Sequence, residues 1–428
     1  MIDALINAFR APDIRRRILF VLGILVVYRL LAQVPLPGVD HTQLKAFFDN
    51  NTAFGIIDLF AGGGLSQLSV VGLAMNPYIN ASIIMQLMTG VIPSLQNLSR
   101  EGEYGRQRLN QYTRYLTVPM ALLQSFGILS ALGHQNPPVI IGGFGLGIAM
   151  SWVQMITMTA GAVLLMWLGE LITEKGIGNG ISFIIFAGIV SRAPTGIAGL
   201  LSQPSPRDIL LFVLLAVAAV FVIIYIQEGQ RRIPIQYASR VRGRRMYQGG
   251  QTFLPLRVNL AGVIPIIFAI SILQFPAQLA IYFSFSDVQI IRDVANGIAG
   301  FLSNTTIQYA VLYFFLTVGF TYFYTAFTFK PDETAEQLRK NGGFIPGIRP
   351  GRPTQDYLAR VVSRITIAGA LFLGVVAVAP VLAGVIDPSL KGLAIGGTGV
   401  LIVVSVVVET MKQIEAQLMM RSYEGFIR

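Results

Sequence analysis

Two glycine-rich runs and two histidines are the residues of this chain that most resemble a reactive site. Gly176-Ile177-Gly178-Asn179-Gly180 and Gly143-Phe144-Gly145-Leu146-Gly147 have the composition of a phosphate-wrapping loop. Neither lies between a strand and a helix, and no lysine–serine or lysine–threonine ending follows, so nucleotide hydrolysis by this chain is not expected. His41 and His134 stand far apart, without further ligands at metal spacing, and the chain has no cysteine. Thiolate catalysis and disulfides are thereby excluded, and no cofactor, metal or catalytic residue is expected. Two other chemistries recur. Isoleucine and methionine lie beside prolines inside apolar runs (Met75, Pro77 and Ile79; Pro265 and Ile267), and arginine lies in glycine–proline loops. The first suits a hydrophobic constriction that stops ions by dewetting, or simple packing between helices. The second suits phosphate or an acidic partner, because the guanidinium fork binds oxyanions bidentately.

The elements that must position these residues are membrane helices. The 428 residues are 54 % hydrophobic and 12 % charged, with a mean hydropathy of +0.64. The usual charged share is about 25 %, and a soluble globule could not cover itself with so little charge. Apolar stretches near the ~20 residues that cross hydrocarbon occur at 18–34, 75–92, 115–133, 151–172, 180–201, 208–227, 260–283, 307–328, 361–386 and 393–411. The first is followed by Val34-Pro35-Leu36-Pro37 rather than a small-residue cleavage site, so it is expected to be retained. Of the 32 lysines and arginines, 26 fall before the first stretch, after the last, and in every second loop, counting Arg364 at the start of the ninth stretch with the loop before it. The positive-inside rule then puts both termini in the cytoplasm, with the chain in the cytoplasmic (inner) membrane. The expected fold is all-α and polytopic, with ten transmembrane helices.

Three features exceed what topology requires. The cytoplasmic loops 228–259 and 329–360 are far longer than usual helix connections. The first carries Arg240, Arg242, Arg244 and Arg245, with Ile233-Pro234-Ile235-Gln236-Tyr237 reading as an extended segment; the second carries Arg349 and Arg352 among glycines and prolines. These are docking hairpins, or basic loops over lipid headgroups. The stretch 55–74, with Asp58, Phe60, Gly62, Gly63 and Gly64, is apolar but too glycine-rich to span stably. It reads as a half-helix entering from outside, or as an interfacial helix. Finally, Pro77 in the second stretch and Pro265 in the seventh read as matched proline interruptions in two five-helix halves, 1–201 and 202–428, which suggests inverted repeats. A secondary transporter would share that symmetry, but it would normally keep ionisable groups near mid-membrane, and these stretches hold almost none.

Several motifs resemble the SecY family of protein-conducting channels, over essentially the whole length. They include Pro35-Leu36-Pro37-Gly38-Val39-Asp40, Pro77-Tyr78-Ile79-Asn80-Ala81-Ser82, Glu101-Gly102-Glu103-Tyr104-Gly105-Arg106 and Phe344-Ile345-Pro346-Gly347-Ile348-Arg349-Pro350-Gly351. The resemblance implies an hourglass of two inverted halves that passes unfolded secretory polypeptides and releases transmembrane segments sideways into the bilayer. It implies a pore ring at Met75, Ile79, Ile185, Ile267 and Ile402, with methionine where the family usually has isoleucine. It implies a plug at about 57–67 and a lateral gate with polar residues at Gln86, Gln124 and Asn259. Its loops would dock the ribosome or the SecA motor ATPase, Arg349 being most tied to the motor. SecE, SecG, secretory precursor polypeptides and membrane lipids are the further partners it implies.

Overall fold

A computed structural model describes residues 9–50, 63–133, 138–145, 147–202, 206–237, 240–242, 245–247, 250–284, 288–302, 306–386 and 396–427. The protein is mostly helical. In chain order the elements begin with α1 (Pro12–Ala32), α2 (His41–Asn50), α3 (Asn76–Val91), α4 (Pro93–Arg100), α5 (Glu103–Gly133), α6 (Ala149–Lys175), α7 (Gly180–Ser202) and α8 (Pro206–Glu228). Four strands follow: β1 (Gln230–Tyr237), β2 (Arg240–Arg242), β3 (Arg245–Tyr247) and β4 (Gln251–Arg257). The chain continues through α9 (Ile264–Phe283), α10 (Gln289–Phe301), α11 (Ile307–Thr328), α12 (Pro331–Lys340), β5 (Gly343–Phe344), α13 (Arg352–Ile386) and α14 (Gly396–Ile427).

Among the described residues, the runs Glu103–Gly133, Ala149–Lys175, Ile307–Lys340 and Arg352–Ala379 are each long and apolar enough to cross a bilayer. The pair α3 and α4 passes the same test but bends by 99°. The bend has a local cause. Ile92 precedes Pro93, and proline forces the residue before it out of the helical region; Ile92 sits at φ −91°, ψ 115°. Pro77 and Pro265 act differently from the expected interruptions. Each is the second residue of its helix, α3 and α9, where a missing N–H costs nothing and the fixed φ favours helix entry. They start helices rather than break them.

The main core gathers side chains from α1, α3, α6, α7, α8, α9, α11, α13 and α14. A second core joins the 36–47 region and the 65–74 segment to α5 and α6. α9 packs against α3 and α5 as well as α11, and α8 packs against α14. Two ion pairs fasten helix ends: Arg114 Nε to Glu170 Oε1 at 2.7 Å, and Lys412 Nζ to Glu228 Oε1 at 2.7 Å. Gln227 also donates to the Ser405 hydroxyl beside the second pair.

The two long loops form one small packed body. β1 and β4 pair antiparallel, and β5 adds to the other edge of β1, in the order β4-β1-β5. The extended reading of 233–237 therefore holds. Tyr237 N–H donates to Gly250 O at 3.2 Å and Val258 N–H to Gly229 O at 2.8 Å. Odd-numbered residues of β1 thus face β4, and Pro234 faces away, where β5 reaches only Gln236 and Tyr237. Pro255, opposite Arg232, faces the outer edge of β4 by the same alternation. Neither proline removes a ladder bond. Beneath the sheet, Ile233, Ile235 and Leu256 pack on Ala335 and Leu338 of α12, Ile345, and Leu358 of α13.

Candidate pore, gate and docking surface

Met75 is the N-cap of α3 and is 2 % exposed. Ile79 lies one turn further along α3, Ile185 on α7 and Ile402 on α14, all buried in the main core, with Ile267 of α9 packed against it. Met75, Ile79, Ile185 and Ile267 line one narrow cavity of about 10 Å³. Ile402 belongs to the same core but is not on the cavity wall. The rest of the wall is Asn76, Ile270, Ser271 and Gln274, four residues that sequence reasoning missed. Their signal was present. Positions 267, 270, 271 and 274 recur at the three- and four-residue steps that share one helix face. Among the described residues no charged side chain lines the cavity.

Asp58, Phe60 and Gly62 lie outside the described residues. Gly63, at φ +85°, and Gly64 begin a run of turns from 63 to 75. The run is nonetheless tightly held. Ser69 N–H donates to Gly64 O at 2.8 Å, Leu36 N–H to Leu68 O at 2.9 Å and Val70 N–H to Val34 O at 2.9 Å. Leu65, Leu68 and Val71 are fully buried. The backbone at Val70 touches α6 at Gly161, where a Cβ would overlap the Val70 carbonyl.

Gln86 lies on α3, Gln124 on α5, and Asn259 just before α9; α9 packs on both other helices. Gln124 and Asn259 are buried. Asn259 Nδ2 donates to Gly262 O at 3.1 Å. The Gln86 Oε1 and Asn259 Oδ1 atoms are buried without a hydrogen-bond partner. A buried acceptor left unsatisfied costs about 1–3 kcal/mol.

Arg240 and Arg242 lie on β2, and Arg245 lies opposite on β3; Arg244 falls outside the described residues. Arg349 and Arg352 are exposed. The loop before Arg349 is a type II turn. Ile348 N–H donates to Ile345 O at 3.0 Å, Pro346 holds the second position, and Gly347 at φ +80° holds the third. Thr354 Oγ1 then donates to the Arg349 carbonyl at 2.9 Å. Both sides of Arg349 are thus fixed to the body that Ile345 and Leu358 anchor. Among the described residues no cluster of histidine, aspartate or glutamate could hold a metal ion.

Comparison with known proteins agrees over most of the chain. The SecY family model matches residues 69–411. The protein translocase subunit SecY of Corynebacterium glutamicum is 44 % identical over the whole of both chains. The fold is similar to a SecY channel whose plug domain stabilises the closed state, with a TM-score of 0.65 and 20 % identity, covering 93 % of this chain and 91 % of that one. It is also similar to Sec61 in the canine ribosome–channel complex from the endoplasmic reticulum, with a TM-score of 0.59 and 18 % identity over the same shares. The chain belongs to the SecY family.

Proposed function

We propose that this chain is the protein-conducting channel of a translocase, passing unfolded secretory polypeptides across the membrane and releasing apolar segments sideways into lipid. The observation that carries the reading is the narrow cavity where Met75, Ile79, Ile185 and Ile267 meet from three helices. An apolar constriction admits an extended chain when its walls part, yet it strips water from small ions when they close. A secondary transporter is not favoured, because among the described residues no ionisable group lines that cavity.

In this reading the ten spans form two inverted halves, 1–201 and 202–428, with both termini in the cytoplasm. Met75, Ile79, Ile185, Ile267 and Ile402 make the ring, and the segment around 57–67, with Asp58, Phe60 and Gly62 to Gly64, makes the plug. The lateral gate opens where α9 leaves α3 and α5, near Gln86, Gln124 and Asn259. Force comes from outside the chain, through the sheet body and its arginines, from the ribosome or SecA. The similar fold of ribosome-bound Sec61 supports the ribosome; the phosphate chemistry of arginine suits ribosomal RNA. SecE and SecG complete the complex.

The experiment is reconstitution of the complex into vesicles with a motor and a secretory precursor. Precursor that becomes protease-protected only when this chain is present supports the channel. Gradient-driven uptake of a small solute without motor or precursor would support the transporter instead.

A further inference from the structure

The constriction is not apolar all the way round. We propose that Asn76, Ser271 and Gln274 form a polar collar that hydrogen-bonds the main chain of a polypeptide in transit, an inference that rests on the channel reading above. All three line the same cavity as Ile79 and Ile267. They come from both halves, Asn76 from α3 and the other two from α9. In the ten-span arrangement α3 and α9 run in opposite directions. Asn76, three residues before Ile79, and Gln274, seven residues after Ile267, therefore both lie to the outer side of those two isoleucines, Asn76 level with Met75.

The collar answers a cost that the ring creates. An extended chain advances about 3.3–3.6 Å per residue, so a constriction one or two side chains thick holds only a few peptide groups. Each brings an N–H and a C=O that the isoleucines cannot satisfy, and an unbonded amide in apolar surroundings is strongly disfavoured. An asparagine or glutamine side chain is a primary amide, with two donors and an acceptor on one flat group, and serine offers one donor and an acceptor. Such groups can bond successive peptide units whatever the side chains of the passing sequence. They are also neutral, so they attract no counter-ion and leave the ion seal intact. At rest, a cavity of about 10 Å³ is near the lower limit for one water, which needs two to four polar partners; the collar supplies them.

The test uses the complete reconstituted complex with motor and precursor, so that failure of wild-type transport would sink the channel reading itself and not the collar. The double variant Asn76→Leu with Gln274→Leu should translocate about fivefold more slowly, roughly the effect of losing one net hydrogen bond in transit. Its resting ion conductance should stay at the wild-type level or below, and Gln274→Asn should restore most of the rate. A second measurement does not depend on how the leucine variant folds. The chain has no cysteine, so a single cysteine at position 274 can be paired by oxidation with a cysteine in a stalled precursor. Cross-linking at 274 as efficient as at 267 supports the collar. Cross-linking at 267 but not at 274, or wild-type rates in an assembled double leucine variant, would overturn it.

Discussion

Gln236 of β1 pairs with Phe344 of β5, and through that pair two loops far apart in sequence become one rigid surface. β5 is only two residues long, so the ladder alone is weak. Its hold comes from the shared apolar floor of Ile233, Ile235, Ile345 and Leu358. A surface built this way can transmit a push on Arg349 to α13, which starts at Arg352.

That join is open to a single substitution. A Cβ at Gly343 would lie 3.0 Å from Tyr237 Cε1 and 3.2 Å from Ile235 Cγ2. Gly343→Val should separate β5 from β1 at a cost of about 1–3 kcal/mol. Hydrogen exchange should then quicken at Gly343 and Phe344 while α3 and α6 keep their protection. Unchanged exchange at β5 would show that the ladder does not depend on this contact.

The fixed setting of Arg349 makes a charge comparison informative. Arg339 lies in the same body, exposed on α12, 3.9 Å from Glu336. Arg349→Glu and Arg339→Glu change the net charge equally. Motor-dependent translocation should fall at least tenfold in the first and less than twofold in the second, a difference of roughly 1.4 kcal/mol or more. Equal losses would mean that only bulk positive charge attracts the partner.

What the sequence revealed tracks the range of the interactions involved. The apolar runs appear as helices because hydrophobic length is a local property, and Ile233-Pro234-Ile235 appears as strand because prolines and β-branched residues exclude helix locally. The union of the two loops was hidden, since a two-residue strand has no pattern to read. The half-helix expected around 57–67 falls mostly outside the described residues, and the described part of the stretch, 63–75, folds as turns. Its backbone bonds go to Val34 and Leu36 on either side of Pro35, partners that no periodicity announces. Pro77 and Pro265 looked like breaks because sequence shows a proline without showing which residue begins the helix. Asn76, Ser271 and Gln274 are not legible as a group in sequence, because only the packing of α9 on α3 puts them on one wall.

The turn segment offers a further test. Gly161 on α6 is the point of closest approach to Val70, so Gly161→Ala should force the two apart and destabilise the segment by about 1–3 kcal/mol. Because 65–74 also leads directly into Met75 and α3, the variant should raise resting ion leak several-fold in reconstituted vesicles. A variant as tight as wild type would show that the seal does not depend on how this segment is seated.

The central claim is that an apolar ring separates the two aqueous sides, and conductance across a planar bilayer tests it most directly. Ile79, Ile185, Ile267 and Ile402 are replaced together by serine, each change putting a hydroxyl where a branched hydrocarbon stood. The wild-type complex without precursor should hold the bilayer near its baseline conductance. The fourfold variant should wet the constriction and raise ion current at least tenfold, while still assembling with its partners. Baseline conductance in an assembled fourfold variant would contradict the account, because the barrier to ions would then lie somewhere other than where these isoleucines meet.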